Sequence, residues 1–331
     1  MPYAATRRVV GGSDVCELSG PAGTCLVVPG AGSQLASLCL GADDGRPPTE
    51  VLFAPAPDQV RQAGWSGGAP ILFPFPGRVA GGEYRYRGQV HRIAHGPGRH
   101  PLHGFVGLAP WELMDCGDDP DGAFARTAVV HSALGVPAEA FPGNYRLEVT
   151  HRIGPRGYRH EVVLRNIGAT PFPFGYGWHP YFRTPVRPGG FRADCTLRLG
   201  AAARWELTSE LLPTGRRLEV GGPYDLRQAG ALGEKSFDDP FTLLERGADG
   251  WSEAELADPA ARLRLTVRAD ASFEHFVVYS PRTLGALCLE PYTCAPDAYN
   301  LEARGIPAGL RELEPEQEWS AAVTVTLHAG A

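Results

Sequence analysis

Three titratable residues stand in surroundings that suit proton-transfer chemistry. They are His103 in Leu102-His103-Gly104-Phe105, His179 in Gly177-Trp178-His179-Pro180-Tyr181-Phe182, and Glu290 in Cys288-Leu289-Glu290-Pro291-Tyr292. Separations of 76 and 111 positions mean that only tertiary folding can unite them. Two imidazoles and a carboxylate form an acid–base set able to move protons near neutral pH without a metal or organic cofactor. Glu290 also follows the apolar run Ala286-Leu287-Cys288-Leu289, where a carboxylate without partners is costly to bury. The other histidines read differently. His91, His131, His151, His160, His275 and His328 fit ordinary core or turn roles, whereas His95 and His100 precede His103 in a loop and stay open.

The elements that would carry these residues read as strands. Tyr145-Arg146-Leu147-Glu148-Val149-Thr150 alternates apolar and polar, and Gly154-Pro155-Arg156-Gly157 turns it into His160–Arg165 as a hairpin partner. Further strands are expected at 83–86 with 89–93, and at 262–268, 273–279, 286–290 and 321–327, the last closing the sheet at the C-terminus. Helical turns are expected only at 55–64 and 252–258, hemmed in by Pro55, Pro57 and Pro259. Glycine (42) and proline (31) are spread along the chain, with no repeat, linker or charge run to divide it. The expected architecture is all-β: one domain over residues 1–331, with two large antiparallel sheets packed as a β-sandwich.

Composition excludes several classes. A net charge of −6 argues against nucleic acid or an anionic membrane as partner. Lys235 is the single lysine, so there is no P-loop Gly-Lys-Ser/Thr and no evident Schiff-base residue. Seven cysteines without a C-x-x-C pair suggest free thiols in a reducing cytoplasm, with neither a disulfide framework nor a zinc motif. The N-terminus lacks a signal-like apolar run, and no later stretch suits a bilayer span, so a soluble cytoplasmic protein is expected.

One segment completes the pattern. Gly68-Ala69-Pro70-Ile71-Leu72-Phe73-Pro74-Phe75-Pro76-Gly77-Arg78 is a proline-stiffened apolar run that delivers an arginine, and it is followed by His103-Gly104-Phe105 and Trp111. With His179-Pro180-Tyr181-Phe182, Phe237-Asp238-Asp239-Pro240-Phe241 and Leu289-Glu290-Pro291-Tyr292-Thr293, the order Arg, His, His, Asp, Glu resembles the aldose 1-epimerase (galactose mutarotase-like) family, including its hexose-6-phosphate 1-epimerase branch. The resemblance spans roughly residues 60–295. The family's galactose mutarotases place an asparagine ahead of the first histidine, and this chain does not; its motif forms look closer to the less specific bacterial branches.

The resemblance implies a galactose mutarotase-like supersandwich that interconverts the α and β anomers of a hexose or related sugar. It implies Glu290 as base, His179 as acid, His103 as their helper, and Arg78 and Asp238 as sugar contacts. No cofactor and no metal are expected. The partner is a small sugar or sugar phosphate, and the chain is a monomer or homodimer. Arg85, Arg87 and Arg99 would suit a phosphate, since guanidinium groups bind phosphate oxygens in pairs. A non-catalytic carbohydrate-binding protein is the alternative of another class. A lyase or glycosidase using Asp238 with Glu290 is a more distant one.

Overall fold

The computed structural model describes residues 2–281 and 283–330. Its two largest sheets are antiparallel. One has nine strands in the order Gly230–Ala231, Thr196–Leu199, Ser252–Asp258, Leu263–Ala269, Glu318–Ala329, Gly157–Asn166, Tyr145–Gly154, Gly122–Val130, Glu112–Asp119. The other has eight, running Pro213–Glu219, Ala201–Leu207, Asp238–Leu244, His275–Tyr279, Ala286–Tyr292, Gly177–Trp178, Ile71–Leu72, with Tyr181–Arg183 also paired to Ala286–Tyr292. A five-stranded sheet from Ala4–Val10 to Thr49–Glu50 packs against the strands at 112–119 and 122–130.

The hairpin at 145–166 shows how sequence becomes sheet. Tyr145, Leu147, Val149, His151 and Ile153 are buried and alternate with half-buried polar residues. Gly154 pairs with Gly157 at the turn, as expected. Gly157 has φ +139°, and a Cβ there would sit 2.4 Å from the Val325 carbonyl, so a side chain has no room.

The inward faces of the two large sheets share one core. Val149, Val162, Leu164 and Val325 from the nine-stranded sheet join Trp178, Phe276, Val278, Leu287 and Leu289 from the eight-stranded one. Trp178 stacks on both Tyr158 and His160. Burying each such side chain contributes about 1.5–3 kcal/mol, which outweighs the weak β-propensity of the Gly and Pro residues nearby. The pleat then decides where chemistry can sit. Leu287 and Leu289 point into the core, so Cys288, Glu290 and Tyr292 point to the opposite face.

Three expectations are corrected. Residues 252–258 form a strand, not a helical turn: Ser252, Ala254 and Leu256 are buried, and the segment pairs with Thr196–Leu199 and Leu263–Ala269. The C-terminal strand Glu318–Ala329 lies inside the nine-stranded sheet between Leu263–Ala269 and Gly157–Asn166, so it fills the centre and closes no edge. Cys16 and Cys116 are joined as a disulfide, whereas Cys25, Cys39, Cys195, Cys288 and Cys294 are free. At 100 positions apart, the pair gives no spacing signal. A short helix at Ala298–Ala303 went unforeseen. No helix among the described residues is long and apolar enough to cross a membrane.

Candidate active site

Glu290 and His179 come together through strand pairing. Gly177 lies opposite Tyr292 in the sheet, which sets His179 beside Glu290 on the face turned away from the core. His179 Nε2 lies 3.4 Å from Glu290 Oε1, and the side chains are 5 % and 2 % exposed. Tyr292 O–H donates to Glu290 Oε2 at 2.7 Å. The His179 ring is stacked on Tyr181, with centroids 4.7 Å apart and planes at 4°. That stacking fixes the imidazole's plane, and Tyr181 is itself held by its hydroxyl donating to the Trp65 carbonyl.

His103 arrives from the loop after the proline-rich strand. Its Nδ1 accepts a hydrogen bond from Gly77 N–H at 3.1 Å, so the proton of its neutral ring sits on Nε2. His103 has φ +66°, and Gly104 follows at φ +76°. A Cβ on Gly104 would lie 1.9 Å from the Phe73 carbonyl oxygen, so this close crossing of two backbones admits only glycine. The His103 and His179 rings meet edge to face at 5.4 Å, and Trp65 covers His103 at 5.1 Å.

Arg78, His103, His179, Asp238 and Glu290 all line one pocket of about 220 Å³. Trp65, Tyr181, Leu207, Leu211, Tyr279 and Tyr292 also line it. A larger cleft of about 840 Å³, bordered by Arg7, Asp14, Asp58, Arg61 and Trp111, has no histidine in its lining. Chemistry therefore selects the smaller pocket.

The two aspartates part company as neighbours on a strand must. Asp238 faces the pocket near the charge of Arg78, while Asp239 is paired with Arg204 at 3.1 Å, and Arg204 lies over the Tyr224 ring. Burial raises the Asp238 carboxyl, Arg78 pulls it back down, and Asp239 raises it further.

Burial dominates the electrostatics of the acid–base pair. It pushes Glu290 well above the usual carboxylate range; the Tyr292 hydrogen bond opposes this and the Asp238 charge adds to it. It pushes His179 down to about 3. His103 is held well below the usual imidazole range by burial first, then by His179 and Arg78. Residue types alone suggest a carboxylate beside an imidazolium. The desolvated pair prefers the reverse, with the shared proton on Glu290.

Arg85, Arg87 and Arg99 do not line this pocket. Arg87 is half-exposed and paired with Glu312 and Glu314. His95 and His100 are likewise outside it; both hydrogen-bond to the backbone of Gly81 and tie down that turn. Of the remaining histidines, His151 and His160 belong to a buried chain with Ser33, Tyr158 and Tyr176, and His275 accepts from Trp205. Trp65 and Tyr279 were missed, because a lone aromatic in a loop or at a strand end has no periodic signature. Cys288 reads in sequence only as one of the free thiols, since Ala286-Leu287-Cys288-Leu289 is apolar throughout; the period of two along a strand is the signal that could have put Cys288 and Tyr292 on the face of Glu290.

The fold is an antiparallel β-sandwich with one buried acid–base constellation, and comparison with known proteins gives it a family. The aldose 1-epimerase family profile matches residues 14–326, and the chain belongs to that family. Two relatives in Escherichia coli K12 are the uncharacterized proteins YihR, 24 % identical with 70 % of this chain and 71 % of that protein covered, and YphB, 23 % identical with 69 % and 74 % covered. Among solved structures, a galactose mutarotase-like protein from Clostridium acetobutylicum superimposes with a TM-score of 0.87 at 17 % identity, covering 98 % of both chains. Galactose 1-epimerase from Lactobacillus acidophilus gives 0.76 at 17 % identity, covering 100 % of this chain and 99 % of that one. These structural likenesses establish the galactose mutarotase-like sandwich.

Proposed function

We propose that this protein is an aldose 1-epimerase acting on a free aldose. The observation that carries this reading is the buried His179–Glu290 contact of 3.4 Å facing a pocket of about 220 Å³. That volume is below the ~300–1,000 Å³ of pockets for drug-sized ligands, which suits a single sugar ring.

Glu290 takes the proton from the C1 hydroxyl while the C1–ring-oxygen bond breaks and C1 becomes an aldehyde carbon. His179 supplies a proton to the departing ring oxygen. Rotation about C1–C2 by half a turn presents the other carbonyl face; as the ring closes, Glu290 returns its proton to the carbonyl oxygen and His179 takes its proton back from the attacking hydroxyl. No electrons are gained or lost overall. His103, neutral with its proton on Nε2, donates a hydrogen bond beside the ring oxygen. Arg78 and Asp238 hold sugar hydroxyls, and Tyr181, Tyr279 and Trp65 cover the apolar parts of the ring.

The hexose-6-phosphate reading loses its support here, since of the arginines invoked for phosphate none lines the pocket. A non-catalytic sugar-binding role would leave the buried imidazole–carboxylate pair without a purpose. One apolar cluster, which draws side chains from Cys16 through to Leu327, supports reading residues 1–331 as one domain. The test is anomer exchange across a panel of free and 6-phosphorylated aldoses, followed by NMR saturation transfer. Acceleration of free sugars supports the proposal. Buffer-level rates on every sugar would leave only the binding role, and a strict requirement for the phosphate would overturn the free-sugar assignment.

A further inference from the structure

Strand alternation places a third donor beside the acid–base pair. Cys288 is two residues before Glu290, on the same face of Ala286–Tyr292, and is a free, fully buried thiol. One ligand atom each from His179, Cys288 and Glu290 lie within 4.8 Å of one another. His179 Nδ1 has no hydrogen-bond partner although it is buried, so a half-turn of the ring within its stacked plane breaks no hydrogen bond at that atom.

We propose that His179, Cys288 and Glu290 form an inhibitory site for a thiophilic divalent cation, with Zn²⁺ as the best fit. A tetrahedral zinc bound by nitrogen, oxygen and sulfur at its usual bond lengths holds its ligand atoms about 3.4–3.6 Å apart. The His179 Nε2–Glu290 Oε1 separation is already 3.4 Å. The thiolate needs to approach by no more than about an ångström, and the fourth position opens on the pocket, as in three-ligand zinc sites generally. A mixed nitrogen, sulfur and oxygen set selects Zn²⁺ or Cd²⁺ over Mg²⁺ or Ca²⁺, which need more oxygen ligands. Binding forms a Zn–S bond, releases two protons to solvent (the thiol's and the one shared by His179 and Glu290), and occupies both proton-transfer groups at once. The cation is thus a competitor of the sugar. Its effect on rate rests on the proposed epimerase activity; its binding does not.

The experiment uses the full chain stripped with EDTA, then titrated with Zn²⁺ in a metal-buffered solution while a chromophoric chelator reports binding and anomer exchange reports activity. One zinc per chain is expected, with activity lost in proportion to occupancy. Cys288→Ser, which lies outside the proposed catalytic and sugar-binding groups, should keep its basal rate and weaken zinc inhibition at least about tenfold. His179→Asn should lose zinc binding by the chelator readout, whatever its activity. Co²⁺ bound to the unmutated protein should show a thiolate-to-metal absorption band. Zinc binding unchanged in Cys288→Ser, activation by zinc, or a cobalt complex without that band would each overturn the site. The cobalt spectrum decides the matter even if Cys288→Ser fails to fold, and zinc bound to a protein that shows no anomer exchange to inhibit would sink the epimerase reading alone.

Discussion

Tyr292→Phe removes one atom from the site and isolates one interaction. The Tyr292 hydroxyl donates to Glu290 Oε2 at 2.7 Å, and both residues are buried. This hydrogen bond favours the ionised carboxylate, so its loss lets burial push Glu290 still higher. A hydrogen bond to a charged group contributes about 1.5–3 kcal/mol, equivalent to about 1–2 pKa units at 1.36 kcal/mol per unit. The productive form of the pair has Glu290 ionised and His179 protonated, whereas burial favours the proton on Glu290. Raising Glu290 further lowers the productive fraction by the same factor, so kcat at neutral pH should fall about ten- to hundredfold.

The pH profile gives the sign. The pair carries one proton across the working range, and the profile is bell-shaped because activity is lost when a second proton is added or the last one is removed. With His179 pushed down and Glu290 pushed up, the acid limb belongs to the lowered imidazole and the alkaline limb to the raised carboxyl. Tyr292→Phe should therefore move the alkaline limb upward by about 1–2 units and leave the acid limb in place. Saturation-transfer NMR at a series of pH values reads both effects. A Tyr292→Phe protein with normal kcat and an unmoved alkaline limb would refute this account of the pair.

Other substitutions separate the remaining roles. His179→Asn should cut kcat by about 10²–10⁴-fold while equilibrium sugar binding, measured by calorimetry, persists. Arg78→Ala should raise KM and lower kcat, whereas Arg87→Ala, which breaks only half-exposed ion pairs to Glu312 and Glu314, should change neither in the same assay. Asp238→Asn should raise KM for the sugar. Asp239→Asn should leave KM near normal and lower Tm instead, because Asp239 serves the Arg204 contact.

Much of the site was legible because strand period and residue chemistry agree there. Glu290 follows the apolar run Ala286-Leu287-Cys288-Leu289, and a carboxylate in that setting stands out in the chain before any folding. The motif order pointed to Arg78, His103, His179 and Asp238, and the fold gathers all of them around one pocket. Other features were hidden for physical reasons. The segment 252–258 has alternating small and charged residues that suit a helix or a strand equally, and neighbouring strands on both sides decide for the strand. Arg87 lies close to the proline-rich segment in sequence, but its partners Glu312 and Glu314 are more than 220 positions away, so no local reading could release it from a phosphate role. The inverted protonation of His179 and Glu290 follows from burial, a quantity that a sequence does not carry residue by residue.

The central claim is that Glu290 is the base at the C1 hydroxyl, and Glu290→Gln tests it most directly. The amide keeps the size and polarity of the side chain but cannot accept the proton. Anomer exchange by saturation-transfer NMR should show kcat reduced by about 10²–10⁴-fold, while calorimetry on the same protein shows the sugar still bound. A Glu290→Gln protein that exchanges anomers at a near-normal rate would contradict the assignment and reduce Glu290 to a contact for the sugar.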